Sequence, residues 1–412
     1  MDLFISEFKR QISAKRFILY VLIPIIFAVL WAWFIIGGAT ADFMQTGCYK
    51  EYKGKAAIEI AAKDRNVTAG KMTEGKFQKG RDTFVNALRS DDESDVKITK
   101  DLLQYAVYAD SLVMQNIQLK NIRGESINGY AKLPENAGKS FYENEDICYE
   151  YMMNLKLKNE AEKELALKMW NEVEKPYTYY GGSEVWSEGI EHIQIFTFVL
   201  LIIAGFFSSG IIARDKESGL DEIISTTKKG RKNLLCPKLL LPLIMAVLIY
   251  TVGMGTYVVI LKHYLPADAL QTSAQVFMKT VLPYNLGELM KNIIIFGLIG
   301  TITISAFTTF ISSISKKTSI VMSIIVLVII SGFILSVSMG LSNPILNFIN
   351  FILPGNVIFS FLNIGVPVVS IFGKAILSFK LNLIISLLLI LISFMLTSWT
   401  YVRRGIKCCF KK

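Results

Sequence analysis

The chain has 412 residues, 52% of them hydrophobic, with a mean hydropathy of +0.43. That excess is gathered into long runs, which excludes an ordinary water-soluble globule and predicts an all-α polytopic membrane protein. The net charge of +10 is equally uneven: residues 1–16, 214–238, 315–317 and 403–412 hold 18 Lys/Arg against 6 Asp/Glu, while 39–192 holds 21 against 26. Positive charge at span ends sets topology and meets anionic lipid, so nucleic acid is excluded as a partner and membrane lipid is expected.

Residues 2–16 place Phe4, Phe8 and Ile12 on one helical face, with Ile5 on its flank and basic residues around them. Two readings fit: an interfacial helix on the cytoplasmic leaflet, or a plain extension of the first span. The run 17–38 is long enough to cross about 30 Å of hydrocarbon. Basic residues before it and Ala39-Thr40-Ala41 after it resemble a signal peptide, but its apolar core exceeds the ~7–15 residues of such signals, so a retained anchor is expected.

Residues 39–192 are expected outside the cell as a mainly helical domain. The segments 70–90 and 99–120 and the stretch from Asn154 to Pro176 read as helices, the last with Leu157, Ala161, Leu165 and Met169 at four-residue spacing. Turn-rich pieces at 121–140 and 176–186 read as loops. Cys48 and Cys148 are the two cysteines of this region; a disulfide and a pair of free thiols are both open.

Further spans are expected at 193–213, 239–261, 292–314, 318–340 and 380–402, six in all. An even number puts both termini and the basic tail 403–412 in the cytoplasm of a multi-pass cell-membrane protein. Between the last two spans, residues 342–379 are apolar but cut by Asn343-Pro344, Leu353-Pro354-Gly355-Asn356 and Gly365-Val366-Pro367. Re-entrant or interfacial helices are expected there, with an extra pair of spans as the alternative. Glu288 and Lys291 stand one turn apart at the outer start of the fourth span. They read as a charge pair at a helix start, or as a contact at an external gate.

The loop 214–238 carries eleven charges and stays out of the bilayer. Within it Leu220, Ile223 and Ile224 form an apolar ridge flanked by Glu217, Asp221 and Glu222; Gly230 breaks the chain and Arg231 opens the next helix. A short amphipathic helix beneath a membrane suits docking to a soluble partner; a simple topology-setting loop is the other reading.

This loop resembles that of type-2 ABC transporter permeases, at Glu217, Gly219, Leu220, Ile223, Ile224, Ser225, Thr226, Arg231 and Lys238. The serine-rich end of span four at Ser312-Ser313, the basic turn after it, the six-span order and the broken segment before the last span resemble the family too. The large insertion between the first two spans is similar only to the subset with big external domains. The resemblance implies a permease that pairs with a second permease subunit and with a separate ATP-binding subunit, the loop helix coupling the two. It implies no catalytic group and no cofactor on this chain.

The chemistry elsewhere is sparse. Gly70 to Lys76 imitates a phosphate-binding loop, but Phe77 stands where a Mg²⁺-binding hydroxyl is required and no strand is expected before it. With two histidines and no CxxC, a metal site is not expected. Transport of an amphipathic or apolar compound, a peptide antibiotic or a lipid, is the function expected. A membrane receptor or sensor whose external domain binds a ligand is the alternative.

Overall fold

The computed structural model describes residues 2–45, 48–49, 51–88, 97–125, 132–227, 230–338, 344–362 and 364–409. Asn343, part of the loop expected at 121–140, and residues 410–412 of the basic tail lie outside the described residues, as do the side chains of 403–409.

Six helices are long and apolar enough to cross a membrane: α2 (Ala14–Gln45), α8 (Ser183–Glu217), α10 (Gly230–Tyr264), α11 (Leu286–Ile314), α12 (Thr318–Val337) and α14 (Ser378–Cys409). The short α1 (Asp2–Gln11) precedes α2 and is separated from it by Ile12 and Ser13, so it is not an extension of the first span. The helix α8 begins ten residues before the apolar run that announced it. Glu184, Glu188 and Glu191 occupy those first turns, where hydropathy is silent but the helical ladder continues.

At the bundle centre α8 packs along α11, and small residues on the other sides of α11 admit α10 and the turn at Asn356–Phe359. A Cβ on Gly297 would stand 2.3 Å from the Tyr250 hydroxyl, and one on Gly300 would stand 2.4 Å from Ile358. Hydroxyls join the helices: Ser208 to Ser305 at 2.7 Å, Ser312 to the Ser209 carbonyl at 2.8 Å, and the Ala213 N–H to Ser312 at 2.8 Å. In hydrocarbon, where there is no hydrophobic drive between helices, such close packing and shared hydrogen bonds hold a bundle together. Large apolar side chains of α2 and α14, among them Trp33, Phe34, Leu391 and Met395, remain exposed, an arrangement suited to lipid and not to water.

Over one end of the bundle sits a cap built from α3 (Lys55–Arg65), α4 (Glu74–Ala87), α5 (Lys100–Arg123), α6 (Phe141–Lys156) and α7 (Glu160–Asn171). Two-residue strands β1 (Gly70–Lys71) and β2 (Thr178–Tyr179) pair antiparallel within it. Its core is aromatic: Phe77 stacks on Phe141 at 3.6 Å, with Tyr108 and Tyr142 edge-on around them. The Thr99 hydroxyl accepts the Leu102 N–H to start α5, and Gly124 ends it in the left-handed conformation. The cap is fastened to the bundle by an Arg65–Glu184 ion pair of 3.0 Å and by the Ser273 N–H donating to the Thr178 carbonyl at 2.9 Å.

The helix expected from Asn154 to Pro176 is two helices. Leu157 to Asn159 is extended, and the Asn159 side chain caps α7 by accepting from Glu162 N–H. Most of α6 lies in a stretch with no periodicity strong enough to announce it. The segment before α14 contains α13 (Pro344–Ile352), a single 3-10 turn at Asn356–Phe359, and a hairpin of β3 (Val368–Ile371) and β4 (Lys374–Leu377). The described residues there hold one short helix and no additional span. The hairpin, absent from the sequence reading, turns on Phe372 and Gly373, both with positive φ, and Phe372 is fully exposed at its tip.

The stretch resembling a phosphate-binding loop is structural. The Lys76 ammonium donates to the Thr68 and Ala69 carbonyls at 2.8 Å each, and Phe77 lies in the core of the cap. Of the two readings open for the cysteines, the structure has the free thiols. Cys48 is exposed, Cys148 is buried on α6, and both thiols are free.

Candidate functional site: the loop helix and its anchorage

The loop between the second and third spans forms α9 (Leu220–Thr226). Gly219, at φ 74°, makes the bend out of α8 in a conformation that a side chain would strain. At the other end, a Cβ on Gly230 would stand 2.0 Å from the Thr227 hydroxyl and 2.5 Å from the Ile224 carbonyl. Two glycines thus fold a seven-residue helix between two long ones. None of its residues is buried: Leu220 and Ile224 are half-covered, Glu222 is exposed, and Ile223 is 65% exposed. The hydroxyls of Ser225 and Thr226 turn back onto the carbonyls of Glu222 and Ile223, so they brace the helix itself.

Around this exposed ridge the ends of the spans are tied together. Arg231 at the start of α10 donates to Asp221 of α9 at 2.8 Å, with both side chains largely covered, and lies over the Tyr401 ring of α14. Glu217 accepts from the Thr318 hydroxyl at 3.0 Å and its N–H at 3.3 Å, which caps α12. The Lys216 ammonium donates to the carbonyls of Ser312, Ser313 and Ser315, which closes the C-terminal end of α11. Cations suit a helix C-terminus and carboxylates an N-terminus, so Lys216 and Glu217 each complement the helix end that they meet.

Beneath α9 lies a buried ionic cluster that sequence reading missed. Lys238 is fully buried; its ammonium stands 2.5 Å from Asp215 and 3.1 Å from Glu7, and donates to the Ile211 carbonyl at 2.7 Å. Arg10 forks onto Asp215 at 2.7 and 3.0 Å and onto Glu7 at 2.8 and 2.6 Å. Two cations and two anions from α1, α8 and α10 therefore neutralise one another. Burial alone would push the Glu7 carboxyl up. The Arg10 hydrogen bonds and the Lys238 charge outweigh that and hold it at about 2. One signal was legible: Asp215 is an acid directly after a span, in a loop otherwise dominated by basic residues.

The other sequence candidates lie apart from this site. Glu288 forms a capping box with Asn285, each side chain accepting the other's backbone N–H, at 3.1 and 2.8 Å. It is a helix cap, and among the described residues it makes no ion pair with Lys291. No metal-binding group of His, Cys, Asp and Glu occurs among the described residues.

Six spans, with a short, exposed helix held between the second and third of them, define a multi-pass membrane protein. The family model described as ABC-2 family transporter protein matches residues 1–406, and the chain belongs to that family. It is a membrane permease of an ABC transporter, a transport subunit and not a catalytic one, and the family implies an ATP-binding partner subunit. No curated protein and no solved structure matches the chain.

Proposed function

We propose that this permease exports an amphipathic or apolar compound, a peptide antibiotic or a lipid, driven by a separate ATPase that seats on α9. A second permease subunit faces it across the path. Both termini and α9 lie in the cytoplasm, and the cap lies outside. The observation that supports this reading best is the exposed Ile223 on a helix anchored to α10 by Asp221–Arg231, next to the end of α8 that Glu217 ties to Thr318 of α12. An apolar side chain held out in this way suits a groove on a partner, and its anchorage suits transmission of the partner's movement. The mixed polar and apolar cavity of about 380 Å³ between the cap and the 275–279 loop fits an amphipathic compound.

The test is the double variant Ile223→Ala with Ile224→Ala. Truncating such contacts typically costs about 1–3 kcal/mol at an interface, a loss of tenfold or more. ATPase co-purification and transport should fall together while membrane insertion is retained. The control is Leu155→Ala, 72% exposed on the cap, which should leave both unchanged. Full ATPase association by the double variant would leave α9 a spacer and remove the docking role.

A further inference from the structure

A second cavity, of about 440 Å³, lies where the cap meets the bundle, between the end of α6, the first turns of the apolar part of α8, the start of α11, and residues 361–362 and 364–365. Its wall combines an apolar side, with Met278, Leu289, Ile293, Phe361 and Ile364, and a set of charged and polar residues. Its level is marked by aromatic residues. Trp31 and Phe34 of α2 stand 6.0 and 6.1 Å from the His192 ring on its rim, and Trp33 beside them is exposed. Such an aromatic belt belongs at the boundary between headgroups and hydrocarbon.

Two buried polar atoms of its lining residues have no hydrogen-bond partner in the protein, and an exposed cation stands beside them. Gln194 is 3% exposed, and its Oε1 has no hydrogen-bond partner. The buried Nδ1 of His192 has none either. The Lys156 ammonium makes no ion pair among the described residues. It lies 3.3 Å from where a side chain on Gly365 would begin, so the glycine leaves room for the charge at the cavity wall. The other lining lysine, Lys279, is already engaged by Gln118, and the single carboxylate among the lining residues is Glu191 of α8. Native proteins rarely leave buried polar groups unpaired, and those that remain so mark places where a further molecule supplies the partner.

We propose that this cavity binds the head and proximal chain of an acidic, hydroxyl-bearing lipid. The phosphate oxygens accept from Lys156. A head hydroxyl donates to Gln194 Oε1. The chain lies along Leu289, Ile293 and Phe361. A cationic head would meet Lys156 with repulsion, and a head without a hydroxyl would leave Gln194 unsatisfied. The site is independent of what the transporter carries and of its direction.

The test uses the purified full-length chain in phosphatidylcholine nanodiscs, titrated with dioleoylphosphatidylglycerol or with oleate, and counts retained adducts by native mass spectrometry. Wild type should retain one phosphatidylglycerol and release oleate. Lys156→Gln and Gln194→Leu should lower the retained fraction at least fivefold, and Lys156→Arg should keep it. Lys158→Gln, which removes a nearby exposed charge outside the cavity, should match wild type. Lys156 is exposed in the last turn of α6, so the Gln and Arg variants decide the matter even where Gln194→Leu does not fold. Equal retention by wild type and Lys156→Gln, an equal loss in Lys158→Gln, or oleate held as firmly as phosphatidylglycerol would overturn the proposal.

Discussion

Lys238 illustrates how context decides the energetics of a residue. A fully buried ammonium is expensive to desolvate, and it is tolerated here because Asp215, Glu7 and the Ile211 carbonyl surround it. Replacing it with Met keeps the volume but leaves two buried carboxylates with Arg10 as their one cation, the Gln11 amide donating to Glu7 beside it. Removing one partner of such a cluster typically costs about 3–5 kcal/mol. Lys238→Met should therefore lower the unfolding temperature in detergent markedly, whereas Lys232→Met, at an exposed position one helical stretch earlier, should not. The cluster also has a defined pH response. Glu7 is depressed in the folded chain, so its contribution is complete above the ordinary carboxylate value of 4.5 and is lost only as pH falls through about 2. Hydrogen exchange across α1 should accordingly be no less protected at pH 5 than at pH 8. Cys148 has the reverse character. Burial raises its thiol to about 11, so maleimide at pH 7.5 should modify the exposed Cys48 and leave Cys148 intact, read by peptide mass.

At the scale of elements, the seven residues of α9 depend on their neighbours for shape. Nothing so short is stable alone. Gly230 is the critical position, because any side chain there collides with the Thr227 hydroxyl and the Ile224 carbonyl. Gly230→Val should displace α9, reduce ATPase association severalfold, and still permit all six spans to insert. The spans were plain in the sequence because lipid enforces long, uncharged apolar runs. The ridge Leu220, Ile223, Ile224 was plain because helical spacing exposes it. Less legible were the features with no local period. Helix α6 mixes Glu, Tyr and Met around its circumference and is held by the aromatic packing of Phe141. The β3–β4 hairpin places Phe372 where Asn or Gly is the ordinary choice, so its turn carried no signal. The ionic cluster joins Glu7 to Asp215 and Lys238 across more than two hundred residues, and no spacing rule reaches so far.

For the whole molecule, charge asymmetry and the fold converge on two faces, one with the cap and one with α9 and the ends of α1 and α14. Native cysteines report which face meets the outside. A membrane-impermeant maleimide applied to intact cells should label Cys48 and spare the exposed Cys236 at the start of α10 until the cells are permeabilised. Labelling in the opposite order would invert the orientation. One helix connects these faces without interruption. The helix α8 runs from Glu184, paired with Arg65 in the cap, to Glu217, which caps α12, and none of its 35 residues is proline. At 1.5 Å per residue it is a lever about 52 Å long. A lever has no slack: a tilt of about 5° imposed at the α9 end displaces the far end by about 4–5 Å over that length. A displacement of that size exceeds the reach of the Arg65–Glu184 contact, so a stroke delivered beneath the bundle must either carry the cap with it or break that bond.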